Sequence, residues 1–195
     1  MCKKRQTGQV VVCFFGDGAS NIGFFHEGLN FASIHELPVV FICENNQYAL
    51  SMKQEKSMAV KDIADRAASY NMPGVVVPGN DVIAVYEETR KAINRTREGK
   101  GPILVECKTY RLLGHHHGDP GCGIKYRTKE EMAAWEKKDP IKRFKKRLMD
   151  GDIVSDSDID KIENNIANQI EEAVAYAKAS PFPEPEEALT DLFAH

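Results

Sequence analysis

Val10-Val11-Val12-Cys13-Phe14-Phe15-Gly16-Asp17-Gly18, followed further along by Val39-Val40-Phe41-Ile42-Cys43-Glu44-Asn45-Asn46, decides the fold. Each stretch opens as a short β-branched and aromatic run, the composition of a strand buried on both faces, and closes in small polar residues. From Ser20 to about His35, Ile22, Phe25, Leu29 and Ala32 recur at three- and four-residue steps, the apolar stripe of a helix lying on a sheet. Pro38 stops that helix. A strand, a helix and a strand of these lengths form a right-handed parallel unit. Both turns at the strand ends then lie at the carboxyl edge of the sheet, where open α/β folds bind ligands. Asp17 is thereby brought beside Asn45 and Asn46.

Outward from this unit the pattern repeats. Gln47 to Met58 is polar and without a period, which predicts a surface loop. Val60, Ile63, Ala67 and Tyr70 mark a helix ending before Pro73-Gly74, and Val75 to Val77 is a third strand. Pro78-Gly79-Asn80-Asp81 turns the chain and caps a helix from about Val82 to Glu98, with Val82, Val85 or Tyr86, Thr89 and Ile93 inward. Ile103 to Thr109 is a fourth strand. This alternation predicts an α/β fold, a parallel sheet with helices on both faces. Thr128 with Glu131 is a capping-box pattern, Asp139-Pro140 opens another helix with Ile141, Phe144 and Leu148 on one side, and a long helix from about Asp158 to Ala179 carries Ile159, Ile162, Ile166, Ile170, Val174 and Ala177. The expected organisation is an α/β core over residues 1–127 and a C-terminal helical extension over 128–195.

Composition bounds the function. A net charge of −3 over 195 residues gives no general attraction to nucleic acid or an anionic membrane, and neither partner is expected. The basic cluster Lys142, Arg143, Lys145, Lys146 and Arg147 reads as a solvated helix face. No apolar run approaches a membrane span, and Met1 to Gln9 lacks the apolar stretch of a secretory signal. Cys13, Cys43 and Cys107 sit in apolar strand-like runs without metal spacing, so they are expected to be buried free thiols and the compartment cytoplasmic.

Asp17 and a carboxamide oxygen from Asn45 or Asn46 are hard ligands suited to a small divalent cation, magnesium, that keeps phosphate oxygens in its shell. Gly16 and Gly18 carry no side chain to hold a diphosphate away, and free amides at the following helix start favour its charge. Either group alone is an ordinary turn; their joint placement at the ends of two buried strands favours the site. The loop from Tyr110 to Arg127 leaves the fourth strand at the same edge, with Gly114, Gly118, Gly121 and Gly123 and the run His115-His116-His117. An imidazole there can move a proton or, as a cation, stabilise negative charge. Zinc held by the histidines with Asp119 and Cys122 is disfavoured because adjacent side chains point apart, and a solvated loop is the other reading.

Gly16-Asp17-Gly18 through Asn45-Asn46 resembles the thiamine diphosphate motif. The fuller run from Gly16 to Ala32, ending in Glu44-Asn45-Asn46-Gln47-Tyr48-Ala49, resembles the alpha subunit of the decarboxylating component of 2-oxo acid and acetoin dehydrogenase complexes. Thr109-Tyr110-Arg111, Gly114-His115, Gly118-Asp119-Pro120, Tyr126-Arg127, Glu130-Glu131, Trp135 and Asp139-Pro140-Ile141 follow in that family's order. The resemblance implies a thiamine diphosphate-binding fold in which Asp17, Asn46 and the backbone oxygen of Tyr48 hold magnesium, Gly18 and Ala19 line the diphosphate, and His115 works beside the reacting carbon. It implies a beta subunit, which supplies the glutamate that activates the aminopyrimidine, in an α2β2 assembly, and a lipoyl-bearing acyltransferase that takes the acyl fragment. Acetoin is the favoured small-molecule substrate, with pyruvate or a branched 2-oxo acid behind it. His116 and His117 stand where some regulated animal enzymes carry phosphorylated serine, so control by such a kinase is not expected. Family subunits carry a long region before the first strand seen here, which implies a fragment, a misassigned start or half of a split subunit. Two further readings are a non-catalytic or split-subunit module that binds a beta subunit, and a magnesium-dependent nucleotide-binding domain, which lacks the Gly-rich loop followed by Lys-Ser/Thr.

Overall fold

The computed structural model describes residues 2–119 and 126–190. Its elements in order are α1 (Cys2–Arg5), β1 (Val11–Gly16), a 3-10 helix (Asp17–Asn21), α2 (Gly23–Ile34), β2 (Val39–Asn45), the short strands β3 (Tyr48–Ala49) and β4 (Met52–Lys53), α3 (Gln54–Ser57), a second 3-10 helix (Ile63–Tyr70), β5 (Gly74–Pro78), α4 (Val82–Arg97), β6 (Ile103–Lys108), α5 (Lys129–Glu136), α6 (Pro140–Asp150), α7 (Asp156–Ala179) and a 3-10 turn (Pro185–Leu189). The four long strands form one parallel sheet in the order β1-β2-β6-β5. Gly16 is level with Glu44, and Asn45 with Lys108. Asp17, Asn46 and Thr109 therefore leave the sheet together at its carboxyl edge.

Helices cover both faces, as the alternation of elements predicts. On one, Phe25, Leu29 and Ala32 of α2 and Ile63 and Ala67 of the second 3-10 helix pack on Phe41, Cys43 and Leu104. On the other, Ala92 of α4, with Val85 and Ile93, packs on Val40, Ile42, Val77, Ile103 and Val105. Each large aliphatic side chain buried in these clusters contributes about 1.5–3 kcal/mol, and this burial holds the carboxyl edge in place. Asp81 caps α4 by accepting from the amides of Ile83 and Ala84 at 3.1 and 3.2 Å.

The structure corrects several local expectations. β1 is an edge strand rather than one buried on both faces: Phe14 is 66% exposed, and Cys13 is exposed rather than buried. Among the described residues no strand pairs with its outer side. The N-terminal part of α4 turns the same way, with Val82 and Tyr86 exposed and Ala92 and Thr96 buried, so that Phe14, Ile42, Val85 and Tyr86 line an open apolar groove. The expected loop from Gln47 to Met58 is a small hairpin followed by α3. Its anchor is polar: buried Gln54 accepts from Asn45 Nδ2 at 2.7 Å and donates to the Lys61 carbonyl at 3.1 Å. Within the Val60 to Tyr70 segment the helix is Ile63–Tyr70, and it is 3-10 rather than α. Thr128 accepts from the amide of Glu131 at 3.1 Å, but the Glu131 carboxylate does not complete a capping box and turns instead to Tyr48.

Two compact units result, Met1–Phe144 and Lys145–His195. In the second, Ser155 and Asp158 form the capping box of α7, which starts two residues before the sequence pattern predicts. Ile159 is its buried residue, and Lys145 pairs with Glu163 at 3.1 Å.

Candidate functional site

The strand ends bring together an aspartate, an asparagine and a carbonyl at the carboxyl edge. Asp17, the first residue after β1, is 2% exposed, and among the described residues no donor meets its Oδ2. Burial raises the pKa of this carboxyl, opposed by the backbone amides of Asp17, Asn46 and Gly18 and by the Arg111 charge. A buried carboxylate oxygen without a donor is costly unless a cation satisfies it. The donor set therefore fits a hard divalent ion.

The sheet register also separates the two asparagines. Asn45 Nδ2 donates to Gln54 at 2.7 Å and to Glu106 at 2.6 Å, and its Oδ1 accepts from the Gln47 amide at 2.9 Å, so both amide protons are spent and the side chain is fixed among buried partners. Asn46 Oδ1 accepts the Tyr48 amide at 3.1 Å and keeps a second lone pair. Asn45 is fully buried on these partners whereas Asn46 is half-buried past the strand end, so Asn46 is the asparagine placed to meet a metal. Gly18 packs so closely on the hairpin that a Cβ there would lie 2.8 Å from the Ala49 side chain, and the backbone beside Asp17 stays open only with glycine at this place.

Tyr48 is 2% exposed and its hydroxyl donates to both Glu131 oxygens, at 3.0 and 3.1 Å. Burial, and then Glu131, push its phenol well above the ordinary tyrosine range. Its ring meets Tyr110 edge-on, and Tyr110 stacks on Trp135, so α5 and the start of the long loop are tied to the site by aromatic packing. Tyr48→Phe is expected to cost about 1.5–3 kcal/mol, the usual worth of a hydrogen bond to a charged group, in urea unfolding. A loss below half that range would show that Lys53, 3.8 Å from Glu131, holds the carboxylate without Tyr48.

The Tyr48 backbone oxygen is approached by Arg111, whose Nη1 donates to it at 3.2 Å. The same guanidinium meets His115 Nδ1 at 3.2 Å and the Tyr126 hydroxyl at 3.1 Å. Since arginine only donates, Nδ1 accepts and a neutral His115 ring carries its proton on Nε2. Asp119 fixes this end of the loop: its Oδ2 accepts from the His115 amide and from Tyr126, both at 2.9 Å. A Cβ on Gly114 would lie 1.8 Å from the Asp119 carbonyl, so the loop closes this tightly only through glycine. His116 Nδ1 accepts the Gly118 amide at 3.0 Å, and its ring stands edge-on to that of His115, 6.0 Å between centroids. Among the described residues no group of three or more His, Cys, Asp or Glu side chains could hold a metal ion. Gly121, Cys122 and Gly123 lie outside the described residues.

Beneath the site is a group that hydrophobic pattern misses. Glu106, in the middle of the apolar run of β6, is fully buried, and its two oxygens accept from Asn45 Nδ2 at 2.6 Å and the Ala64 amide at 2.8 Å. Its signal in the sequence is a lone carboxylate between Val105 and Cys107. Burial, the Glu106 charge and then that of Asp17 hold the Cys43 thiol far above its ordinary range, so it remains an unreactive thiol.

Comparison with known proteins adds a family relationship. Residues 1–186 match the family model described as dehydrogenase E1 component. The chain is 48% identical over 195 residues to the alpha subunit of acetoin:2,6-dichlorophenolindophenol oxidoreductase of Bacillus subtilis (strain 168), covering 98% of this chain and 56% of that protein. It is 42% identical over 180 residues to the 2-oxoisovalerate dehydrogenase subunit alpha of the same organism, covering 92% and 54%. It is 40% identical over 186 residues to the pyruvate dehydrogenase E1 component subunit alpha of Porphyra purpurea, covering 95% and 53%. The chain spans about half the length of these curated relatives.

Proposed function

Because the chain belongs to the dehydrogenase E1 component family, we propose that it binds thiamine diphosphate through magnesium and acts, with a beta subunit, in cleaving acetoin and passing the two-carbon fragment to a lipoyl group. The observation that carries this reading is the buried Asp17 oxygen that no donor among the described residues meets, set beside Asn46 at the sheet edge. When bound, the cofactor supplies the electron sink for carbon–carbon cleavage next to a carbonyl. Asp17, Asn46 and the Tyr48 carbonyl would hold the cation, and the backbone of Gly18 and Ala19 would border the diphosphate. Arg111, Asp119 and Tyr126 hold the loop so that a neutral His115 would present Nε2–H as its proton-bearing edge, and that edge would serve the reacting carbon. In this reading residues 1–127 form the cofactor-binding core, 128–195 the extension, and the assembly is an α2β2 tetramer in the cytoplasm that hands its acyl group to a lipoyl-bearing acyltransferase. The higher identity to an acetoin enzyme than to the 2-oxoisovalerate and pyruvate enzymes supports acetoin as substrate.

The test is calorimetry with thiamine diphosphate, with and without magnesium, on the chain alone and with its beta subunit. Magnesium-dependent binding that strengthens with the partner is the expected result. No binding from a folded chain under any of these conditions would sink the reading.

A further inference from the structure

Arg66, on the second 3-10 helix, is half-buried, and among the described residues it pairs with no carboxylate. Its guanidinium is spent instead on the turn from Asp17 to Asn21. Nη1 donates to the Ser20 carbonyl and, at 3.4 Å, to the Ser20 hydroxyl, while Nη2 donates to Asn21 Oδ1 at 2.7 Å. That hydroxyl is fully buried and gives its own proton to the Asp17 carbonyl at 2.8 Å. A single hydroxyl thus links the guanidinium to the main chain of Asp17. Asn21 Nδ2 donates in turn to the Ser57 carbonyl of α3 at 3.1 Å. On its other side the turn is stopped by Ala49, against which only glycine fits at position 18.

A short 3-10 turn has poor hydrogen-bond geometry and leaves its last carbonyls without partners, so its shape is set from outside. Arg66 supplies two charge-assisted donors in a fixed fork, where a lysine supplies one point of charge. The core does not need the guanidinium there, since Ile63 and Ala67 already hold this helix on the sheet. We propose that Arg66 is a positioning residue for the cofactor site: its fork holds the 17–21 turn so that the Asp17 carboxylate and the backbone of Gly18 and Ala19 are set before any ligand arrives. The proposal rests on the reading of this edge as a magnesium–diphosphate site. Its physical content is preorganisation, because a segment that must be ordered on binding subtracts its ordering cost from affinity.

Two measurements separate the hold from its use. In hydrogen exchange on the cofactor-free full chain, Arg66→Ala should speed the amides of residues 18–22 by about tenfold or more, the worth of a charged hydrogen bond, while those of β2 and β6 keep wild-type rates. In calorimetry the same variant should bind thiamine diphosphate with magnesium about ten- to hundredfold more weakly, the cost of losing a supporting partner of a metal ligand. Arg66→Lys keeps the charge without the fork and should recover only part of either loss. Asn21→Ala, which removes one of the two acceptors, should give the same pattern at smaller size. Arg90→Ala, at an exposed arginine paired with Glu87 on α4, should change neither readout. Unchanged exchange at 18–22, exchange that quickens throughout the sheet, or full recovery by Arg66→Lys would each overturn the proposal. So would a quickened turn that still binds with wild-type affinity. A wild-type chain that binds no cofactor would sink the magnesium–diphosphate reading itself, and the exchange pattern would still decide whether Arg66 holds the turn.

Discussion

Asp17→Ala should lower magnesium-dependent affinity for thiamine diphosphate by at least about a hundredfold, since loss of mere supporting partners of a metal ligand already costs ten- to hundredfold. The prediction rests on position: Asp17 is 2% exposed, follows the last residue of β1, and has an oxygen that no donor among the described residues satisfies. That oxygen carries a cost when no cation is present, and the cost has a sign. Burial raises the folded-state pKa of Asp17, so the folded chain holds this proton more tightly than the unfolded chain does. The resulting stability is present below the ordinary carboxylate pKa of about 4 and is lost as pH rises through the raised folded value. In magnesium-free urea unfolding, the stability of wild type minus that of Asp17→Ala should therefore fall as pH increases from acid to neutral. A difference that is flat, or that grows with pH, would mean that Asp17 is satisfied within the chain and is not waiting for a cation. Binding and stability thus move in opposite directions at one residue, as expected where a site stores an unfavourable arrangement for its ligand.

The sheet was legible because its signal is local. Val39 to Cys43 is a continuous apolar run and Ile103 to Cys107 is one broken only by Glu106, and such runs become central strands wherever they are covered. What a run does not encode is what lies beside it, and for that reason β1, equally apolar, proves to be an exposed edge. The same limit explains Val82 and Tyr86, whose helical period was read correctly but whose neighbour in space is open groove. At the site, Asp17 and Asn46 were legible from topology, since parallel register brings consecutive strand ends together whatever their side chains. The hairpin after Asn46 was not, because Gln54 fixes it by hydrogen bonds across nine and seven residues, and polar anchoring has no period. Glu131 shows the converse: its spacing from Thr128 predicts a reciprocal cap, but the buried Tyr48 hydroxyl competes for the carboxylate and wins, leaving the cap half-made.

Glu106→Ala should destabilise the chain by on the order of 3–5 kcal/mol, the largest single effect on folding among these residues. Removing the carboxylate leaves the buried Ala64 amide without its acceptor, at about 1–3 kcal/mol, and deletes the charged hydrogen bond to Asn45, at about 1.5–3 kcal/mol. Glu106→Gln keeps the shape but offers one acceptor where two donors point, so its amide nitrogen must face one of them; it should recover about half the loss. The consequence reaches the site through sequence adjacency. Asn45 is held between Glu106 and Gln54, Asn46 follows it directly, and Ala64 belongs to the 3-10 helix that packs on the sheet. Cofactor affinity should therefore fall in Glu106→Gln as well as stability, although among the described residues Glu106 is not hydrogen-bonded to Asp17 or to the Tyr48 carbonyl. Urea unfolding and calorimetry on the same preparation separate the two effects. A Glu106→Gln chain as stable as wild type would show that the two donors find other acceptors. One that is destabilised yet binds with full affinity would show that Asn46 is held by the sheet register alone.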